Sequence, residues 1–171
     1  MIHRRFKGWL FYGVALSIVV FDQLSKYWVR THLQPGVPWD AVAWLRPILS
    51  LTFVTNTGVV FGLFPGLGWL FAAVHVVAIG LILYFYYSLP AQTWVTRVTM
   101  GLLLGGACGN LIDRLWRGWV TDFVDLNFWP MQDWAVFNVA DSAVVVSTCI
   151  LMVYVLTQMS PDREGTRSGP A

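Results

Sequence analysis

The sequence predicts an all-α polytopic membrane protein. It has four transmembrane helices, a small extracytoplasmic β-element and a short interfacial segment. Three observations predict this. Of 171 residues, 57% are hydrophobic and only 12% charged, against about 25% charged in soluble domains. Four segments reach the roughly 20 mostly apolar residues that a helical span needs. Between them lie stretches too polar and too interrupted by Gly, Asn and Pro to cross a bilayer. Ten tryptophans and eleven phenylalanines fit the aromatic belts of membrane interfaces.

The spans are read at residues 8–29, 66–88, 96–115 and 135–157. The first follows the basic cluster His3–Lys7, which places the N-terminus in the cytoplasm. The cluster and the apolar run together look like a signal peptide. No small-residue cleavage site follows, however, so the run is read as a retained span. Four spans return the C-terminus to the cytoplasm. Span two holds one polar interior residue, His75, read as a packing or hydrogen-bonded histidine rather than a catalytic one. The stretch PILSLTFVTNTGVVFGLF within residues 30–65 reads as short strands broken by an Asn-Thr-Gly turn. Residues 116–134 read as a connection with a short interfacial helix or loop. A single integral membrane domain is expected over 1–160, with a disordered cytoplasmic tail over 161–171.

Composition also excludes function classes. The net charge of +2 and the lack of a Lys/Arg run leave no footing for nucleic acid. Cys108 and Cys149 sit in apolar runs without zinc-ligand spacing, so neither a metal nor a structural disulfide is expected. No cofactor motif is present. Gly105, Gly106 and Gly109 in LLLGGACGNL read as close-packing positions of a membrane helix, since no Lys-Ser/Thr or preceding strand makes them a phosphate loop.

The charges within the spans carry the functional signal, because an intramembrane carboxylate costs several kcal/mol unless paired, hydrated or neutralised. Asp22 lies eight residues before Arg30, about 12 Å inward at the helical rise. Asp141 follows Trp134 by seven, about 10 Å inward if helical throughout. With Asp122 just beyond span three, these groups form one layer toward the extracytoplasmic leaflet. Asp22 and Lys26 are four apart and can pair. Asn110, Asp113 and Arg114 are read as one face, with Asp113 and Arg114 as a possible self-satisfying pair. Asn138 and Asp141, three apart, are read as another face. Asp122 and Asp141 have no obvious cation, and two such carboxylates brought together would share a proton, as in aspartic proteases. The competing reading is a proton-coupled membrane transporter, since intramembrane Asp and His also mark proton relays. A polar path from both sides is missing, because the cytoplasmic halves of the spans carry almost no polar groups beyond His75.

Five motifs in order, DQLSK at 22–26, NTGVVFG at 56–62, GGACGNLIDR at 105–114, VTDFVD at 120–125 and FNVADSA at 137–143, make the chain resemble the lipoprotein signal peptidases (signal peptidase II) over nearly its whole length apart from the polar tail. The resemblance implies an aspartic endopeptidase of the bacterial inner membrane. Such enzymes remove the signal peptide of diacylglyceryl-modified prolipoproteins, cutting before the lipidated cysteine. It implies catalysis by Asp122 and Asp141, with Asp22, Lys26, Asn56, Asn110, Arg114 and Asn138 binding substrate or supporting the site. Asp125 matches a position where the family tolerates other residues. The chain departs from the family at NTGVVFG, where Ala-Ala more often precedes Phe-Gly. Lipidated prolipoproteins and membrane lipid are the implied partners, with no obligate protein partner and no cofactor.

Overall fold

A computed structural model describes residues 2–40, 42–58, 68–88 and 93–159. Four helices, α1 (Ile2–His32), α2 (Gly68–Ser88), α3 (Trp94–Arg117) and α4 (Val139–Met159), are each long and apolar enough to cross a membrane. Their outward faces carry large apolar side chains, among them Phe21, Leu24, Val77 and Met152, as a lipid-facing surface requires. The chain is a multi-pass membrane protein. The tail at 161–171 and Val59, Val60, Phe61 and Gly62 of the NTGVVFG motif lie outside the described residues.

Helix α3 is the hub. It packs against α1, α2 and α4, whereas α2 and α4 have little direct contact with each other. The glycines explain how. A Cβ on Gly105 would lie 2.7 Å from Cβ of Ile18 and 2.8 Å from the Ala15 carbonyl oxygen of α1. On Gly106 it would lie 2.6 Å from the Ala140 carbonyl oxygen of α4, and on Gly109 2.6 Å from Oδ2 of Asp22. Backbones therefore meet directly across α3, as small residues permit between membrane helices. Thr93 caps the start of α3, its Oγ1 accepting from the Thr96 amide at 3.2 Å. Gly118, with φ of 78°, ends it in the left-handed conformation that glycine adopts without cost.

A three-stranded antiparallel sheet lies at one end of the bundle. Its strands are β1 (Pro38–Trp39), β2 (Leu49–Asn56) and β3 (Val120–Leu126), in the order β1-β2-β3. The expected β-element is present: β2 pairs with β1 on one side and, on the other, with β3 from the other polar connection. Residues 120–126, read as interfacial helix or loop, form a strand because Val-Thr-Asp-Phe-Val alternates faces against β2. The interfacial segment is the loop that follows. It is tied back where Phe137 O accepts from Phe123 N (2.9 Å) and Val124 N (2.7 Å).

The fourth span begins later than expected, at Val139 rather than 135. Asn138 is the cap of α4: its Oδ1 accepts from the Asp141 amide at 2.9 Å, while Asp141 Oδ2 accepts from the Asn138 amide at 3.3 Å. This reciprocal arrangement is a capping box. Asp141 therefore lies two residues into the helix, about 3 Å at the helical rise, and not the depth a helix from Trp134 would give.

The backbone contacts at Gly106 have a measurable consequence. Gly106→Ala should lower unfolding free energy in mild detergent by about 1–3 kcal/mol, the usual cost of overpacking. Gly80→Ala, where nothing lies within 4 Å of the added Cβ, should be neutral or stabilising by up to about 1 kcal/mol. Equal effects at the two positions would contradict close packing along α3.

Candidate active site

Two elements, β3 and α4, bring two carboxylates to one place. Asp122 projects from β3 and is 2% exposed. Asp141 projects from the first turn of α4, whose N-terminal dipole favours negative charge. Between them stands Asn138, whose Nδ2 donates to Asp122 Oδ1 at 2.6 Å while its Oδ1 caps the Asp141 amide. One amide thus fixes both acids.

Each acid has a further amide donor. Asn56 Nδ2 donates to Asp122 Oδ2 at 2.8 Å. Asn56 lies opposite Val120 in the β2–β3 register, so it is the diagonal neighbour of Asp122 on the same sheet face. Its Oδ1 accepts from the Gly58 amide at 3.0 Å, an Asx turn that locks the amide's orientation. Asn110 Nδ2 donates to Asp141 Oδ1 at 2.7 Å. Asp125 points to the opposite face of the sheet and accepts from Thr52 Oγ1 at 2.6 Å, away from this site. Among the described residues neither Asp122 nor Asp141 has an ion pair.

Behind the amides lies a buried charge cluster. The Lys26 ammonium, fully buried, has three acceptors for its three protons: Asp22 Oδ2 at 2.8 Å, Asn110 Oδ1 at 2.9 Å and Asp113 Oδ2 at 3.4 Å. Asp22 Oδ1 accepts from the Ala140 amide at 3.0 Å, tying α1 to the start of α4. Asp113 Oδ2 accepts from the Thr121 amide at 3.0 Å, tying α3 to β3 one residue from Asp122. The expected Asp22–Lys26 pair is present. The suggested Asp113–Arg114 pair is not. Asp113 is served by Lys26, Arg30 at 3.7 Å and Arg117 at 3.4 Å, because successive helix residues point in different directions. Asn110 and Arg114, four apart, share a face that reaches past the cluster, Asn110 touching Lys26 with its oxygen and Asp141 with its amino group.

That face lines a cavity of about 760 Å³ between α2, α3 and α4. Asn56, His75, Asn110, Arg114, Asp122 and Asp141 supply its polar wall, and its deeper part is aliphatic, with Ile82, Leu103 and Val144. Arg114 Nη2 donates to Gly58 O at 2.7 Å and its guanidinium lies over the Phe71 ring at 5.1 Å. Among the described residues its Nε and Nη1 are buried without a partner, which costs free energy until a ligand supplies an acceptor. Of the residues expected at the site, Asn56, Asn110, Arg114, Asp122 and Asp141 line this cavity, while Asp22, Lys26 and Asn138 are buried behind it. His75 was not expected there. The signal that would have found it is that a lone polar residue in an apolar span needs a cavity to face.

Burial raises the Asp122 carboxyl from its ordinary 3.8 to about 7, and the nearby Asp141 carboxylate adds to the shift against the opposing amide bonds from Asn56 and Asn138. The folded protein then holds a proton at Asp122 that the unfolded chain has lost. Its contribution to stability is complete below 3.8 and is lost as pH rises toward about 7. The melting temperature of the wild type minus that of Asp122→Asn should therefore fall between those pH values and level off above. A difference that is flat or rises with pH would contradict the assignment.

The family model described as Signal peptidase (SPase) II matches residues 14–157. The lipoprotein signal peptidase of Desulfitobacterium hafniense is 36% identical over 156 residues, covering 91% of this chain and 97% of the relative. That of Moorella thermoacetica is 42% identical over 138 residues, covering 81% and 87%. A solved bacterial membrane enzyme superposes with a TM-score of 0.79 at 27% identity, covering 91% of this chain and 92% of that one. With two carboxylates and their amides at the cavity wall and a family match over most of the chain, this membrane protein belongs to the signal peptidase II family of peptidases.

Proposed function

We propose that the chain, as one integral membrane peptidase domain over residues 1–160, is an aspartic endopeptidase of the bacterial inner membrane. It removes the signal peptide from diacylglyceryl-modified prolipoproteins by cutting before the lipidated cysteine. Both termini are cytoplasmic and the sheet end of the bundle faces the extracytoplasmic side. The observation that carries this reading is the pair Asp122 and Asp141, without an ion pair among the described residues, bridged by Asn138 at a membrane cavity.

The chemistry follows from the two environments. Asp122, with its carboxyl raised to about 7, holds the proton. Asp141, at a helix N-terminus, is the carboxylate. Asp141 takes a proton from water, whose oxygen attacks the scissile carbonyl carbon, while Asp122 protonates the carbonyl oxygen. Collapse of the tetrahedral intermediate breaks the C–N bond. Asp141 returns its proton to the leaving amine and Asp122 recovers its own from the gem-diol. The gap between α2 and α4 gives a lipid-anchored substrate sideways entry. Asn56, Asn110 and Asn138 fix the acids, and the partnerless donors of Arg114 await a substrate carbonyl.

Asp122→Asn and Asp141→Asn should each abolish cleavage of a diacylated precursor in detergent, with unfolding still cooperative. Arg114→Lys should lose tenfold or more in kcat/KM, about one bond of 1.4 kcal/mol, because a single ammonium lacks the guanidinium fork. Near-normal turnover by either aspartate variant would overturn the dyad, and full activity of Arg114→Lys would reduce Arg114 to scaffolding.

A further inference from the structure

His75 lines the cavity, and the proposed mechanism leaves it unused. Its Nδ1 lies 2.6 Å from the Phe71 carbonyl oxygen. A carbonyl only accepts, so the proton is on Nδ1, and the neutral ring then presents Nε2 as a bare acceptor. Among the described residues His75 has no ion pair, and its Nε2 makes no hydrogen bond within the fold.

The position of the ring follows from the helix ends. Gly68 at the start of α2 abuts Gly118 at the end of α3, a Cβ there lying 2.6 Å from the Gly118 oxygen. Seven residues along α2 and eight back along α3, His75 and Asn110 lie about 10 and 12 Å below that contact at the helical rise. They occupy the same layer, and Asn110 is bonded to Asp141. Phe71 links His75 to Arg114: its carbonyl holds the imidazole and its ring lies under the guanidinium. One wall therefore offers two buried donors without partners, Nε and Nη1 of Arg114, and one turn away an acceptor without a partner, Nε2 of His75.

A residue in an extended peptide presents its N–H and C=O along one edge. We infer that His75 is a substrate-binding residue that, with Arg114, reads the backbone edge of an extended segment beside the scissile bond, Nε2 accepting an N–H and Arg114 donating to a C=O. This rests on the proposed peptidase function. It makes recognition at this wall independent of the substrate's side chains, since every residue but proline carries both groups.

The test uses full-length enzyme in detergent and a synthetic signal peptide carrying a diacylglyceryl-cysteine. Esters replace the peptide N–H in turn at the three residues before the cysteine. His75→Leu should lose about tenfold in kcat/KM, whereas His75→Gln, which keeps an acceptor, should stay within threefold of wild type. One ester should cost the wild type about tenfold and His75→Leu less than twofold. Wild-type kinetics for His75→Leu, equal losses for Leu and Gln, or ester effects that are absent or the same in both enzymes would overturn the role of His75 while leaving the peptidase reading intact. Failure of the wild type to cleave the unmodified diacylated peptide would overturn both.

Discussion

The structure depends on one buried ammonium. Lys26 is out of contact with water and surrounded by Asp22, Asp113 and Asn110. Removing charges from water costs several kcal/mol per ion, recovered only when every proton and lone pair is matched. The matching is what builds the site. The second oxygen of Asp22 holds the start of α4 through the Ala140 amide, and Asp113 holds β3 through the Thr121 amide. Asn110, with its oxygen committed to Lys26, must turn its amino group toward Asp141. The elements carrying the two carboxylates are thus registered to α1 and α3 through a single cation.

The contrast with the site itself is instructive. The acids behind the cavity are paired with cations, whereas Asp122 and Asp141 are given only amide donors. Amides fix direction without neutralising charge, so burial can hold a proton on Asp122 near neutral pH, while Asp141 sits at a helix N-terminus that favours negative charge. The proposed division between acid and base follows from that difference. Glycines along α3 let α1 and α4 approach closely enough for both layers to exist within three helices.

Much of this was legible in the sequence. Span number, the close-packing glycines, the Asp22–Lys26 pair and the lack of cations at Asp122 and Asp141 all follow from spacing and composition. What was not legible came from two sources. Spacing by three was read as a shared helix face at Asn138 and Asp141, yet the same spacing is also a capping box, and only the start of α4 decides between them. Long-range pairing was the other. Nothing local says that β2 pairs with β3 across two intervening helices, or that Asp113 serves Lys26, Arg30 and Arg117 rather than its neighbour Arg114. His75 is hydrogen-bonded, as a lone polar residue in an apolar span is expected to be, but which cavity it lines is a tertiary fact.

The central claim is that the Lys26 charge holds the fold and the site together. Its direct test is the unfolding free energy of Lys26→Met in mild detergent. A loss of about 3–5 kcal/mol is expected, the cost of leaving buried carboxylates without their cation. A change within about 0.5 kcal/mol of wild type, the range of ordinary surface substitutions, would contradict it.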